Sequence, residues 1–387
     1  MMVKPQKPIN FALVGLAFIA LLDSCAVASN SELERHDLFA IPLGTLPEEL
    51  DWFYPGGGAA SIGDVQTRDG LIYISNSRRG KVMVFNSYGD LLTIVYDPLR
   101  NPIPPRGKGG EFNSSFSSWP FRSPRIIAAL NGGFLVGDRV ESEPQEGYEE
   151  ESAIFNKVVL RFDREGSYLG HLGREGPQGS PFPNIFAIDV RHDGGIVVIC
   201  HPFDSKTWFS YWYTEDGFPI TTVQIREDRL PDIEGGRGAR VQAVRSDPRK
   251  WLLHLRVDVY DKAEPGRGLE PRLYTLNLST LDYDEPIRLP YDEDITSMGY
   301  PSSPPEYLGT TLDGSHAMLY REGPDTYRIS MLDAQGSAAH NRRLEVGGGA
   351  RIYRSFKIQN DGLLAGLFFG DSEAAVSWWR LDEILKE

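Results

Sequence analysis

Cysteine is nearly missing from this chain of 387 residues: Cys25 and Cys200 are the two present. Stability must therefore come from a packed core and not from a disulfide framework. The seven histidines are scattered and show neither H-E-x-x-H nor H-x-x-E-H spacing, so the helical zinc-hydrolase motifs are excluded. No G-x-S-x-G, no P-loop and no dinucleotide fingerprint occurs, and "GGEFNSS" and "GGGA" are glycine turns. Positive charge is the minority, with 40 Lys and Arg against 54 Asp and Glu and a net charge of −14. Such a balance opposes attraction to phosphate backbones and anionic headgroups, and no nucleic-acid partner is expected.

Turn formers and core formers are plentiful instead. Gly 40 and Pro 27 accompany 41% apolar and 11% aromatic residues, the composition of a turn-rich globular protein and not of a disordered one. Length alone suggests two or three domains, but closed all-β folds exceed that size as one unit, so the count must come from the pattern.

The N-terminus reads as a bacterial signal peptide. Lys4 and Lys7 precede the apolar stretch "INFALVGLAFIALL", which ends at Leu22 and is too short for a spanning helix. Two cleavage readings follow. Leu22-Asp23-Ser24-Cys25 is a lipobox in which the Cys25 thiol is diacylated, although Asp23 departs from the small or aliphatic residue usual there. Alternatively, Ala26-Val27-Ala28 directs cleavage before Ser29 and releases a soluble periplasmic protein. The lipidated form is the expectation taken: residues 1–24 as signal peptide, 25–35 as tether and 36–387 as one domain. Two acyl chains anchor stably, each buried methylene adding about 0.8 kcal/mol. Cys200, in "GGIVVICHP", is then a small core residue without an intramolecular partner.

The stretch "LIYISNSRRGKVMVFNSYGDLLTIVYD" at 71–97 is one copy of a repeating unit: strand, tight turn, strand, loop, strand, turn, strand. Further copies include 125–173 and 185–225, then Val241 to Leu289, Leu308 to Val346 and Arg354 to Ile384. The first turn recurs as "RDG", "NGG", "HDG", "SDPRK", "LDG" and "NDG". All but the fourth carry Asp-Gly or Asn-Gly, which tolerate the positive φ of a two-residue hairpin turn. Six four-stranded units predict an all-β, six-bladed β-propeller. A β-sandwich would not repeat the same turn chemistry at the same place. The sixth unit reaches Glu387 after only three strands, while "HDLFAIPLG" at 36–44 is a strand without a unit. This strand is expected to complete the last blade and close the ring.

The stretches "NKVVLRFDREGSYLGHLGREG" and "GLIYISNSRRGKVMVFNSYGDLL" resemble the NHL-type repeat, whose units end in a valine-phenylalanine-aspartate strand, a glycine turn and a final strand. With the signal peptide, the chain resembles six-bladed NHL-like propeller lipoproteins of spirochaetes and some other bacteria. The likeness covers about residues 60–225 well. It implies an envelope protein, and its motifs specify fold more than activity.

First and third turns are short, whereas second turns and blade-to-blade connections carry the extra length, as at 96–124, 141–152, 225–240, 259–271 and 291–307. In a propeller those two classes share one face, which is expected to be the contact surface. Candidate binding residues there are Arg78, Arg79, Arg106, Lys108 and Trp119. The basic residues suit an acidic partner or the acidic insertion of the neighbouring blade; Trp119 is an interface anchor or a plug packed onto the fold. Asp64 and Asp189 are the carboxylates on the inner strands "GDVQT", "IIAAL", "IFAIDV", "VQAVR", "LGTTL" and "FKIQ", too few for a metal cage. No catalytic residue, metal ligand or cofactor is assigned. The expectation is a lipid-anchored, non-catalytic module of the cell envelope that binds a protein partner. The alternative is a periplasmic propeller that binds or hydrolyses a small ligand, such as a sugar, in its channel.

Overall fold

Runs such as "IVVIC" and "LLAGLFF" are apolar at consecutive positions because a strand in the middle of a propeller blade has a neighbouring blade against each face. Their burial is accordingly continuous, whereas strands at the rim, such as Pro219–Arg226, are mostly exposed. The computed structural model describes residues 32–51, 63–102, 115–139, 156–172, 182–202, 206–264, 268–291, 303–323, 325–336, 339–346 and 353–384. The expected signal peptide and Cys25 lie outside them.

The chain is an all-β, six-bladed propeller. A first strand, β1 (His36–Pro42), precedes the blades. Blade 1 contains β2 (Val65–Arg68), β3 (Leu71–Asn76), β4 (Lys81–Asn86) and β5 (Leu91–Tyr96). A fifth strand, β6 (Ser115–Ser118), lies parallel to β5 at its outer edge. Blade 2 is β7 (Ile126–Leu130), β8 (Gly133–Arg139), β9 (Lys157–Asp163) and β10 (Tyr168–Leu172). Blade 3 follows as β11 (Ile185–Val190), β12 (Ile196–Cys200), β13 (Thr207–Tyr213) and β14 (Pro219–Arg226). In blade 4, β15 (Arg237–Ser246), β16 (Leu252–Asp261) and β17 (Glu270–Asn277) are long, but β18 (Ile287–Arg288) has two residues. Blade 5 is β19 (Glu306–Thr310), β20 (His316–Arg321), β21 (Thr326–Leu332) and β22 (Ala339–Glu345). Blade 6 has β23 (Tyr353–Ile358), β24 (Leu363–Phe369) and β25 (Glu373–Arg380), and β1 pairs antiparallel with β25 as its outermost strand. The ring therefore closes as the orphan strand predicted.

Each pair of adjacent blades, including 6 and 1, buries its own apolar cluster. The core is thus six inter-blade layers. The layer between blades 4 and 5 has the fewest apolar members among the described residues, and polar side chains fill the remainder. His254 Nδ1 pairs with Thr275 Oγ1 at 3.0 Å, and Nε2 faces Asp247 Oδ2 at 3.4 Å. His316 Nδ1 meets Thr310 Oγ1 at 3.0 Å, and the two imidazoles pack edge to face at 4.7 Å. Cys200 is fully buried in β12, and burial pushes its thiol well above the ordinary range.

The turns are more varied than their sequences suggest. In the first hairpin both Asp69 and Gly70 take positive φ, 53° and 76°. Elsewhere only the glycine does, and Asp193, Asp313 and Asp361 instead accept the N–H two residues on, from Gly195, Ser315 and Leu363. The deviant turn of blade 4 uses the same chemistry, since Asp247 Oδ1 accepts the N–H groups of Arg249 and Lys250 at 2.8 and 2.6 Å. Burial raises the Asp247 carboxyl, but His254 and those two N–H groups outweigh it and hold it at about 2.

Candidate functional site

The innermost strands β2, β7, β11, β15, β19 and β23 contact one another in sequence round the ring. They enclose a central cavity of about 220 Å³, lined from all six blades. Its walls are mostly polar, because residues near the axis have no neighbouring blade to pack against and face water or one another. Asp64 accepts from the Ile127 N–H at 3.3 Å and pairs with Lys357 Nζ at 3.4 Å. Asp189 accepts the Ser246 N–H at 2.9 Å and faces Arg245 Nη1 at 3.5 Å. Both predicted carboxylates are therefore engaged by neighbouring blades.

A third carboxylate, Glu306, begins β19. It keeps solvent contact, yet the surrounding wall is close enough that desolvation pushes its carboxyl up against the pull of Arg245, Arg354 and Lys357. The sequence pattern started this unit at Leu308 and so missed it. Among the described residues, no three His, Cys, Asp or Glu side chains converge to hold a metal ion.

The cavity is bridged at the end where the first turns lie. Asn360 Nδ2, in the first turn of blade 6, donates to the Val190 carbonyl of blade 3 at 2.9 Å, across the ring. The Asn360 carbonyl accepts the Leu312 N–H of blade 5 at 2.7 Å, and the Pro248 carbonyl of blade 4 accepts the His192 N–H of blade 3 at 2.8 Å. Within the wall, Arg245 Nε and Gln66 Oε1 are buried without hydrogen-bond partners.

The predicted binding residues are distributed as follows. Arg79 Nε donates to Asp51 Oδ2 at 2.8 Å, and Arg78 Nε lies 3.4 Å from the same oxygen. The carboxylate they meet thus comes from the connection after β1. Trp119 is half-buried, stacks on Tyr168 at 4.2 Å and meets Phe162 edge-on at 5.6 Å. Arg106, Lys108 and the acidic insertion at 141–152 lie outside the described residues.

Sequence reasoning also missed a groove at the rim between blades 3 and 4, about 720 Å³ in volume. One side is β14; the other includes Trp251, Leu278, Leu281 and Tyr283. Trp251 is 40% exposed although it stacks on Trp212 at 5.0 Å, and the Arg191 guanidinium lies 5.2 Å from its ring. The signal available in the sequence was the apolar Trp251 and Leu281 in turns that the repeat otherwise fills with polar residues.

No family model matches the chain, and no curated protein matches it. Solved structures are similar to it, at low identity and with TM-scores below 0.5. A polysaccharide lyase, Uly1, is 10% identical with a TM-score of 0.47, over 91% of this chain and 100% of its own. A protein of unknown function from Dyadobacter fermentans is 14% identical with a TM-score of 0.43, over 90% and 97%. The propeller domain of the Trilobed protease from Pyrococcus furiosus is 9% identical with a TM-score of 0.40, over 82% and 83%. Likeness at this level carries nothing about activity or ligand.

Proposed function

We propose that this chain is a lipid-anchored propeller of the bacterial cell envelope that binds a protein partner through the face bearing its long connections, without chemistry of its own. The observation that supports this reading is the sorting of its loops. Strand order and direction send the second turns and blade-to-blade connections to one face and the tight first and third turns to the other. A rigid ring with one elaborated face suits recognition, because loops tolerate change while the scaffold keeps them in place. The entry of the chain is compatible with an anchor at Cys25. Leu33 packs between blades 5 and 6, and its N–H donates to the Arg343 carbonyl of β22, so the tether would leave from the perimeter and keep both faces clear.

Crosslinking in intact envelopes followed by purification of the full-length protein tests the reading. Deleting residues 103–114 and 141–152 is expected to abolish capture of the crosslinked partner while the melting temperature stays unchanged. Equal capture by the shortened protein would overturn it. The anchor is read separately: an intact mass showing a diacylated Cys25 supports it, and an unmodified chain starting at Ser29 refutes it.

A second reading, a small polar ligand in the channel, is favoured by the unpartnered Arg245 Nε and Gln66 Oε1. Against it, a volume of about 220 Å³ is smaller than the roughly 300–1,000 Å³ of ordinary ligand sites.

A further inference from the structure

The outer edge of each blade is a row of backbone groups that another strand could join, and proteins usually blunt such edges. Blade 1 covers its edge with β6. Blade 5 receives the entering chain, with Glu32 bridged to Arg343. Blade 4 ends in the two-residue β18. Blade 2 ends in the five-residue β10, which shifts register between Tyr168 and Gly170. In blade 6, β1 shifts register between Asp37 and Phe39 and ends in Pro42. Blade 3 does this only at the start of its outer strand, where Pro219 and a register shift before Thr221 precede a regular run. Its β14 has eight residues, keeps one register with β13 from Thr221 to Arg226, and has no strand on its outer side among the described residues.

The available groups can be named. The Glu227 N–H donates to the Lys206 carbonyl, so the antiparallel alternation turns the backbone N–H and C=O of Thr222, Gln224 and Arg226 away from β13. The neighbouring groove supplies an apolar wall, in which Trp251 is held by Trp212 and Arg191. Ile220 and Leu281, 48% and 64% exposed, flank it. Arg229, at the end of the short 3-10 turn Glu227–Arg229 that follows the strand, also lines the groove; it has the Asp228 charge beside it but makes no close ion pair among the described residues.

We propose that the outer edge of β14 docks an extended segment of another polypeptide, which adds to blade 3 as a fifth strand as β6 adds to blade 1. The three outward residues fix its backbone by six hydrogen bonds, two from each. Alternate apolar side chains of the segment lie against Trp251, Leu278 and Leu281, and a carboxylate near its end pairs with Arg229. The edge lies on the perimeter; only its Arg226–Arg229 end belongs to a long connection, 225–240, and deleting 103–114 and 141–152 leaves it whole, so this site and the loop-borne partner are tested separately.

The test is a fluorescence-anisotropy titration of the detergent-solubilised full-length protein. The probe is a labelled eight-residue peptide alternating valine and threonine and ending in aspartate. Saturable binding is expected. Backbone N-methylation of alternate peptide residues should weaken it at least tenfold, a readout that requires no change in the protein. Gln224→Pro should do the same, because it removes an outward N–H and leaves the ladder to β13 intact. Arg229→Gln should weaken only the peptide ending in aspartate, not one ending in asparagine. Absence of saturable binding, or binding indifferent to N-methylation, overturns the proposal. Sedimentation showing that β14 pairs with a second copy of the chain, in a dimer lost in Gln224→Pro, also overturns it.

Discussion

Lys81 has no solvent exposure, and its ammonium donates to the carbonyls of Leu46, Pro47 and Glu49. Burial, with the nearby Arg79 charge, pulls its pKa down to about 7, yet three acceptors match the three donors of the charged form. The side chain reaches from blade 1 to the connection that follows β1, so it ties the closing strand to the first blade. Lys81→Met keeps the length of the side chain but leaves three carbonyls, that of Pro47 buried, without their donor. It is expected to lower stability by about 2–4 kcal/mol, read as a shifted urea midpoint with an unchanged m value. A shift under about 0.5 kcal/mol, the size of an ordinary surface substitution, would remove this role. Nothing in the sequence set Lys81 apart from its basic neighbours Arg78 and Arg79, because its acceptors are more than thirty residues away.

At the scale of elements, β1 carries closure. It contributes Ile41 to the layer between blades 6 and 1, and Phe39 packs on Phe85 at 5.1 Å. Without it β25 would present an open edge and the first and last blades would lose shared apolar surface. Deleting residues 36–42 is expected to cost about 5 kcal/mol or more, seen as a fall of roughly 10 °C in melting temperature. An unchanged melting transition would show that closure adds no stability. This element was legible because the three-strand sixth unit and the orphan strand had to complement one another. The fifth strand β6 was not: "SFSS" has no apolar alternation, and it is a strand only because β5 offers an edge to it. The fourth turn looked like a broken copy in sequence, but it is an Asp-capped turn whose carbonyls at Arg249 and Lys250 accept from Arg191.

For the whole ring, the weakest joint under acid is the polar layer between blades 4 and 5. Burial, assisted by the neighbouring His254, pushes His316 down to about 3 from its usual 6.5. A depressed histidine stabilises the fold fully above pH 6.5, where both states are neutral there. It loses that contribution as pH falls, because the unfolded chain takes up a proton that the folded chain refuses. Stability is therefore expected to drop below about pH 6 by up to roughly 1.4 kcal/mol per pH unit from this group. Asp247, held at about 2, adds a further loss once pH falls below the usual carboxylate range. Hydrogen exchange between pH 7 and 5 should show β16 and β20 losing protection first, and His316→Asn should flatten the pH dependence. Uniform loss of protection round the ring would contradict the local origin.

Repeat period, turn chemistry and the alternation of strands depend on neighbours in sequence, and those local rules determined the blade number, the closing strand, the burial of Cys200 and the division into a plain and an elaborated face. What the chain does with its charges depended on distant partners. Tertiary structure alone decided that Arg78 and Arg79 meet Asp51, that Trp119 lies against Tyr168, and that Asn360 spans the ring to Val190. It also decided that, among the described residues, β14 carries no strand on its outer side whereas the edge of blade 1 does. An edge is defined by what fails to pair with it, and pairing across a ring is a property of geometry that no single segment encodes.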